Sequence, residues 1–368
     1  MTALTPHVLM PWGAGGAAAE ESPARRVLGE RVLRTLRMIL WSQHPSGEIL
    51  SYRRDPDGRY VQCRSPFVSA FVHDALSPFD PWSPGWVDGS LDLFPPRARE
   101  GAMRAVVDAR RRIRQFLAWQ QEAAGDWRFF GRGAGIDPDV ATTASAAAAL
   151  LESYGAQQLE RWERQLAVVQ SFRSASGAYY TFVRRGRGLY GWTDDVGRPI
   201  VGFDRVVNVE VLRYLCRAGQ RDQPEIAWLA AWLWEHTADG TLQHGTSLFP
   251  DPLYFFYAVG RTWIQGHLPR RREVAERLLP LLGGLQRPTG EFGGPLSTAL
   301  GATALQYLGE TGPALRQARL AVLRGLEPGA ERPYEDFAVK GVGSPAWAAA
   351  LSVAFLARDE CRARGGGA

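Results

Sequence analysis

One local pattern recurs along this chain: a helix closing on Gln, a short turn containing Gly, then an aromatic residue. The fullest copy is RQFLAWQQEAAGDW, where Phe116 and Leu117 precede Gln121 and Gly125 is followed by Trp127. LWSQHPSGEILSY supplies Gln43 and Gly47, VVQSFRSASGAYY supplies Gln170, Gly177 and Tyr179, and LQRPTGEF supplies Gln286, Gly290 and Phe292. WLWEHTADGTL carries Glu235 and His236 in place of the glutamine, with Gly240 in the turn. A unit repeated in this way builds a fold by stacking near-equivalent pieces. Its chemistry is readable. The Gly ends the helix, where a positive φ costs it least. The Gln amide bonds free backbone groups of the loop, and the ring covers the joint between neighbouring helices.

Amphipathic, charge-rich segments precede these copies, at 26–43, 99–121, 157–171, 224–236, 272–286 and 313–325. They show the i, i+3, i+4, i+7 spacing of a helix with one buried face. A second kind of helix follows each of them, small and apolar nearly all round. These start at Ser65, Asp137, Asp204, Asp251, Gly294 and Gly343. Most open with an N-cap and a Pro at the first helical position. Six amphipathic and six apolar helices in alternation have one natural closure, an apolar inner ring inside an amphipathic outer ring. The sequence therefore predicts an all-α chain forming a single α6/α6 toroid over 25–361. A Gly/Ala-rich arm at 1–24 and a Gly-rich tail at 362–368 are expected to be loose. The longest irregular stretch, 77–98, has the length of a functional loop such as a lid.

Composition removes several function classes. The 368 residues are 45% hydrophobic and 22% charged, which is ordinary globular material. The longest apolar runs fall short of the roughly 18 residues that span a bilayer, so no integral membrane span is expected, though peripheral membrane contact fits. The start lacks the basic and apolar regions of a secretory signal, and a reducing cytoplasm is the default. The net charge is +5, and the basic residues are arginine except for Lys340. They form only short clusters, such as Arg110-Arg111-Arg112, which suit the polar faces of helices, so nucleic acid is not an expected partner. Cys63, Cys216 and Cys361 are too scattered for a disulfide framework or a four-ligand zinc site.

The repeat on paired helices resembles the isoprenoid cyclase superfamily: squalene–hopene cyclases, class II terpene cyclases and protein prenyltransferase β subunits. The likeness covers nearly the whole chain as architecture, with 116–127 the full match. A second point of contact is IDPDVATTASAAAAL, where class II cyclases carry Asp-x-Asp-Asp-Thr at the start of an inner helix. In that motif a carboxylic acid is kept protonated by desolvation and protonates an alkene or epoxide, and aromatic walls stabilise the carbocation. Two registers fit. In one, Asp137 and Asp139 are the first and middle acids, Val140 replaces the third, and Asp139 is the donor. In the other, Asp139 is the first acid, Ala141 replaces the donor, Thr142 replaces the third acid and Thr143 aligns. Plain N-capping accounts for either aspartate as well.

The resemblance implies no metal or other cofactor here. The prenyltransferase branch holds zinc with Asp, Cys and His. The single Asp-x-Cys, Asp359-Glu360-Cys361, lies at the C-terminal end with no histidine after it. A diphosphate-ionising Asp-Asp-x-x-Asp is absent too, because Asp194-Asp195 is followed by Val196-Gly197-Arg198 in a turn-rich stretch.

Further candidates follow from position, since the first turns of the inner helices line one mouth of a toroid. Asp204 and Asn208 share a helix face there, and an Asn inside an apolar helix needs a partner or faces the cavity. Tyr254 and Tyr257 follow Asp251 and read either as core or as cavity wall. Trp82, Trp86 and Trp192 lie in long loops and are candidates to cover an apolar mouth. His73, beside Asp74, reads as a satisfied structural histidine, and Cys63 and Cys216 as inert thiols. The leading expectation is a terpene cyclase-like enzyme acting on an isoprenoid or similarly apolar chain. Asp139 and Asp137 are its catalytic candidates, and Thr142, Thr143, Asp204, Asn208, Tyr254, Tyr257 and Trp192 line the site. The alternatives are a carbohydrate-active lyase or hydrolase using Asp139, Asp204 and Trp192, and a non-catalytic toroid that binds an apolar ligand or a partner.

Overall fold

The computed structural model describes residues 22–55, 57–152, 159–182, 202–237, 241–246, 248–327 and 341–365. Trp192 and the Asp194-Asp195 pair lie outside them. Twelve α-helices lie among the described residues. In chain order they are α1 (Pro23–Trp41), α2 (Pro66–Ala75), α3 (Arg99–Gln120), α4 (Val140–Leu151), α5 (Leu159–Gln170) and α6 (Arg205–Arg217). Then come α7 (Pro224–His236), α8 (Pro252–Gln265), α9 (Arg271–Leu285), α10 (Pro295–Tyr307), α11 (Pro313–Gly325) and α12 (Pro345–Gly365). Each even-numbered helix packs on the next even-numbered one, and α12 packs back on α2, which closes the inner ring. The odd-numbered helices lie outside it, each packed against at least one even-numbered helix. The chain is an α/α toroid, as the alternating pattern predicts. A small antiparallel sheet joins the segment after α1 to the segment before α12. Strand β1 (Ser51–Arg54) lies between β2 (Tyr60–Cys63) and β3 (Val342–Gly343), with Tyr52 opposite Gly343.

The repeat positions the inner helices through two side chains per copy. The Gln amide closes its own turn: Gln43, Gln121 and Gln286 donate to the carbonyls of Gly47, Gly125 and Gly290 at 3.0–3.1 Å. Gln43 and Gln286 also reach Ala109 on α3 and Ala314 on α11. The second side chain is a polar residue four places after the inner-helix cap, which takes the backbone N–H two residues past the glycine. Ser69 takes Ile49, Thr143 takes Trp127, Asn208 takes Tyr179 and Thr298 takes Phe292. Each pair pins one turn to the first turn of the next inner helix and satisfies a buried backbone donor.

The glycine does not end the helix, as the sequence suggests, but sits in the turn beyond it. Gly47 has φ +96° because its turn is pressed onto the next outer helix: a Cβ there would stand 2.1 Å from the Arg112 carbonyl oxygen on α3. Other expectations also shift. Helix α4 starts at Val140 and is capped by Asp139, not Asp137, because the Asp139 N–H is drawn to the Trp127 carbonyl and the Val140 N–H to Thr181. Helix α1 is capped by Ser22, and α12 continues to Gly365. The part of the tail up to Gly365 is held there by Arg362 on the Gln306 carbonyl and Arg364 on Asp92.

The 77–98 stretch leaves the C-terminal end of α2, so it lies at the rim opposite Asp139 and is no lid over that residue. It is built of short 3-10 turns that bury Phe79, Leu91, Leu93 and Phe94. Trp82 stands exposed on it, and the Trp86 indole donates to Asp88. Neither covers the mouth of the inner ring on the Asp139 side.

Candidate active site

Three inner helices open at one rim with a capping aspartate. Asp139 accepts from the Thr142 N–H at 2.7 Å, Asp204 from Val206 and Val207 at 2.8 and 3.2 Å, and Asp251 from Leu253 at 2.9 Å. These are ordinary N-caps, yet all three are buried enough to disfavour their charged forms. Burial raises Asp204 against the pull of the Thr246 hydroxyl and the Val207 and Val206 N–H groups. Burial likewise raises Asp251, whose other oxygen accepts from the Ser297 hydroxyl at 2.6 Å.

Asp139 differs in its surroundings. It lines a small pocket with Phe67, Phe129, Ala141, Thr181, Phe182, Val207, Leu248 and Phe249. Phe67 and Phe129 stack with centroids 5.1 Å apart, and Phe249 stands 5.9 Å from Phe67. Burial in this apolar wall pushes the carboxyl up to about 7, against the pull of the Thr142 backbone and hydroxyl and of the Phe129 backbone. Oδ1 holds the Thr142 N–H, while Oδ2 is buried with no hydrogen bond of ordinary geometry among the described residues. The group is thus a carboxyl that is partly protonated near neutral pH and set against an aromatic wall. The open space is about 20 Å³, room for roughly one water, so a larger guest enters only if the aromatic walls move.

The other candidates fall into distinct places. Thr142 is beside Asp139 and fully buried. Asp137 is half-buried in the loop before the cap and does not line the pocket. Thr143 and Asn208 are brought to the rim but are engaged by the repeat turns. The Thr143 hydroxyl donates to the Asp139 carbonyl, and the Asn208 amide donates to the carbonyls of Tyr179 and Asp204. Tyr254 stacks flat on Phe249 at 4.7 Å, so it backs the pocket wall, with burial and then Glu210 holding its hydroxyl well above its usual range. Tyr257 lies a turn deeper, and its hydroxyl accepts from Arg261 at 3.0 Å.

Arg261 belongs to a feature the sequence reading passes over: the inner helices are not apolar throughout. Beyond the aromatic cluster lies a buried ionic layer. Asp74 on α2 pairs with Arg213 and Arg217 on α6 and with Arg261 on α8. Glu210 joins Arg213 and Arg261, Glu152 joins Arg217 and Arg110, and Asp80 joins Arg110. Burial alone would raise Asp74, but Arg213, Arg261 and Arg217 outweigh it and hold the carboxyl far below its usual range. His73 sits at the edge of the layer. Burial, then Arg110 and Arg114, keep it neutral, and its Nε2 meets Arg114 at 3.1 Å while Nδ1 finds no partner among the described residues. It is therefore only half satisfied. Glu210, Arg213 and Arg217 stand at i, i+3 and i+7 of a mostly apolar helix, and that spacing is the signal the sequence held.

Cys63 and Cys216 are pushed up by burial to about 12 and about 11, so both are poor nucleophiles at neutral pH. Asp359 and Glu360 lie within α12 and pair with Arg319. No group of three His, Cys, Asp or Glu side chains suited to a metal occurs among the described residues.

The fold has known counterparts. No family model and no curated protein matches the chain in sequence. Solved structures do match in shape. Type II terpene cyclase MstE from Scytonema, in complex with merosterolic acid A (product), has a TM-score of 0.63 at 15% identity, covering 92% of this chain and 99% of that one. The chain has the fold of the type II terpene cyclases. The ent-copalyl diphosphate synthase of Streptomyces platensis is similar with a TM-score of 0.52 at 16% identity, over 80% of this chain and 50% of that one. An unsaturated glucuronyl hydrolase specific for heparin reaches 0.53 at 12% identity, over 92% and 98%. The terpene cyclase-like toroid is therefore shared with a carbohydrate-active enzyme, and the site must separate the two. No described helix is long and apolar enough to cross a membrane.

Proposed function

We propose that this protein is a terpene cyclase-like enzyme in which Asp139 protonates an isoprenoid or similarly apolar chain. One observation carries the reading: a lone carboxyl, pushed up to about 7, in a wall otherwise made of Phe67, Phe129, Phe182, Phe249 and aliphatic side chains, with Thr181 its other polar member. An acid tuned near the working pH balances proton availability against driving force. In the reaction the π pair of a terminal alkene takes the Asp139 proton, forming a C–H bond and leaving a cation on the neighbouring carbon. The π pair of the next alkene closes a ring onto that carbon, and loss of a proton from the final cation ends the sequence. The Thr142 N–H and the N-terminus of α4 stabilise the carboxylate left behind. The faces of Phe67, Phe129 and Phe249 stabilise the passing positive charge.

The fold shared with the glucuronyl hydrolase, together with three buried carboxyls at one rim, favours a second reading as a glycosidase. Phenylalanine walls argue against it, because sugar hydroxyls would find few hydrogen-bond partners beside Asp139. Incubation of the pure protein with farnesyl, geranylgeranyl and squalene-type substrates, and with an unsaturated glucuronide, separates the two. Cyclic hydrocarbons or cyclic diphosphates support the first reading, and glycoside cleavage supports the second. Neither product from any substrate leaves an apolar-ligand or partner-binding toroid.

A further inference from the structure

A guest larger than one water reaches Asp139 only if a wall of its pocket moves, and the walls differ in how they are held. Phe67, Ala141 and Val207 stand on α2, α4 and α6 and are fixed by the closed ring. The other walls lie on connections that run over the rim. Phe129 follows Trp127, whose N–H meets the Thr143 hydroxyl at 3.1 Å and whose indole donates to the Leu117 carbonyl at 2.7 Å. Arg128 beside it donates to Glu122 at 2.8 Å and to the Ala134 carbonyl at 3.0 Å. Thr181 and Phe182 follow Tyr179, held twice by Asn208, and the Thr181 carbonyl accepts from the Val140 N–H at 2.9 Å. Leu248 and Phe249 are held differently. The Phe249 N–H donates to the Thr246 hydroxyl oxygen at 3.0 Å, and the Phe249 carbonyl accepts from the Thr246 N–H at 2.8 Å. Among the described residues, both backbone bonds of Phe249 therefore stay inside its own turn. Gly245, at φ +68°, lets the ends of that turn meet: a Cβ there would stand 2.3 Å from the Pro250 carbonyl oxygen. Side chains tie the turn to α6 and its cap at two points, the Thr246 hydroxyl on Asp204 and Arg205 on the Gly245 carbonyl at 3.2 Å.

We propose that Phe249 is the moving wall of the Asp139 pocket and that Thr246 is the positioning residue that latches it. A guest enters at the Asp139 rim when the two Thr246–Phe249 bonds open and the Phe249 ring lifts from Tyr254. The inference rests on the proposed function only in taking the Asp139 pocket as the place a guest reaches. Opening breaks bonds within one turn and leaves the inner ring, the Asn208 latch and the Trp127 ties intact. The Thr246 hydroxyl serves both sides of the latch, because it donates to Asp204 and accepts from the Phe249 N–H. Free and occupied protein close through the same bonds, so weakening them speeds entry and exit together and leaves affinity unchanged.

Two measurements on the full-length protein test this apart from turnover. The first is residue-resolved amide hydrogen exchange of the wild type. The Phe249 amide is expected to exchange at least about tenfold faster than the amides of Trp127, Val140 and Tyr180, and an equal or slower rate overturns the proposal. The second is stopped-flow tryptophan fluorescence with hydrogenated farnesol, a saturated chain that accepts no proton. In Thr246→Val the binding and release rates are expected to rise together by at least about threefold with Kd within about twofold of wild type, while Thr246→Ser keeps the wild-type rates. Unchanged rates in Thr246→Val, or a change confined to release, overturn the latch. If Thr246→Val does not fold, or the alcohol does not bind, the exchange series decides. The latch signature without turnover of any prenyl substrate would keep the moving wall and remove the cyclase reading. Turnover that depends on Asp139 without the latch signature would do the reverse.

Discussion

Asn208 holds both backbone groups of Tyr179: its Oδ1 accepts from the Tyr179 N–H at 2.8 Å and its Nδ2 donates to the Tyr179 carbonyl at 3.0 Å. One side chain thus ties the turn after α5 to the first turn of α6. Asn208→Ala leaves two buried backbone groups without partners and is expected to destabilise the fold by about 2–4 kcal/mol. Chemical denaturation measures this. A loss below about 0.5 kcal/mol would mean that the amide serves the cavity and not the latch.

The ionic layer makes a different demand. Arg261→Met strips a partner from Asp74 and from Glu210, both buried, and is expected to lose about 3–5 kcal/mol. The pH dependence has a definite sign. Asp74 is depressed in the folded state, so its contribution is present above its unfolded value, about 4, and is lost as pH falls through the folded value. His73 is held neutral, so stability also falls as the unfolded chain takes up its proton below about pH 6.5. Stability should therefore fall on the acid side in the wild type, and the Asp74 share of that fall should shrink in Arg261→Met. Parallel acid-unfolding curves for the two proteins would contradict this.

Helix alternation, the capping signals and the role of Gln43, Gln121 and Gln286 were all legible in the sequence, because each follows from local spacing. Which of Asp137 and Asp139 caps α4 was not. That choice is made by Trp127 and Thr181, which fix the backbone from outside the helix. Asn208 was legible as a polar residue on an apolar helix and Thr143 only through the acidic motif, and whether each meets a ligand or a turn depends on tertiary contact. The ionic layer was the larger omission. Glu210 and Arg213 share one helix, but Asp74 and Arg261 come from others, and their pairing appears only when the ring closes.

Asp139 itself has a stability signature opposite in sign to that of Asp74. Its folded value, about 7, lies above the unfolded value of about 4, so the folded state holds the proton longer. Stability contributed by the protonated form is full below about pH 4 and is lost as pH rises to about 7, by up to about 4 kcal/mol. Asp139→Asn keeps the cap without the charge. The variant should gain stability relative to wild type between pH 5 and pH 8, as read from melts at both. An offset that does not change with pH would show an unperturbed carboxylate.

The most direct test of the account is turnover by Asp139→Asn on whichever prenyl substrate the wild type converts. The substitution preserves shape and capping at α4 and removes only the transferable proton. The expected result is a fall of at least about a hundredfold in rate, with the melting temperature at pH 7 not lowered. An Asn variant that retains full activity would contradict the claim that Asp139 supplies the proton.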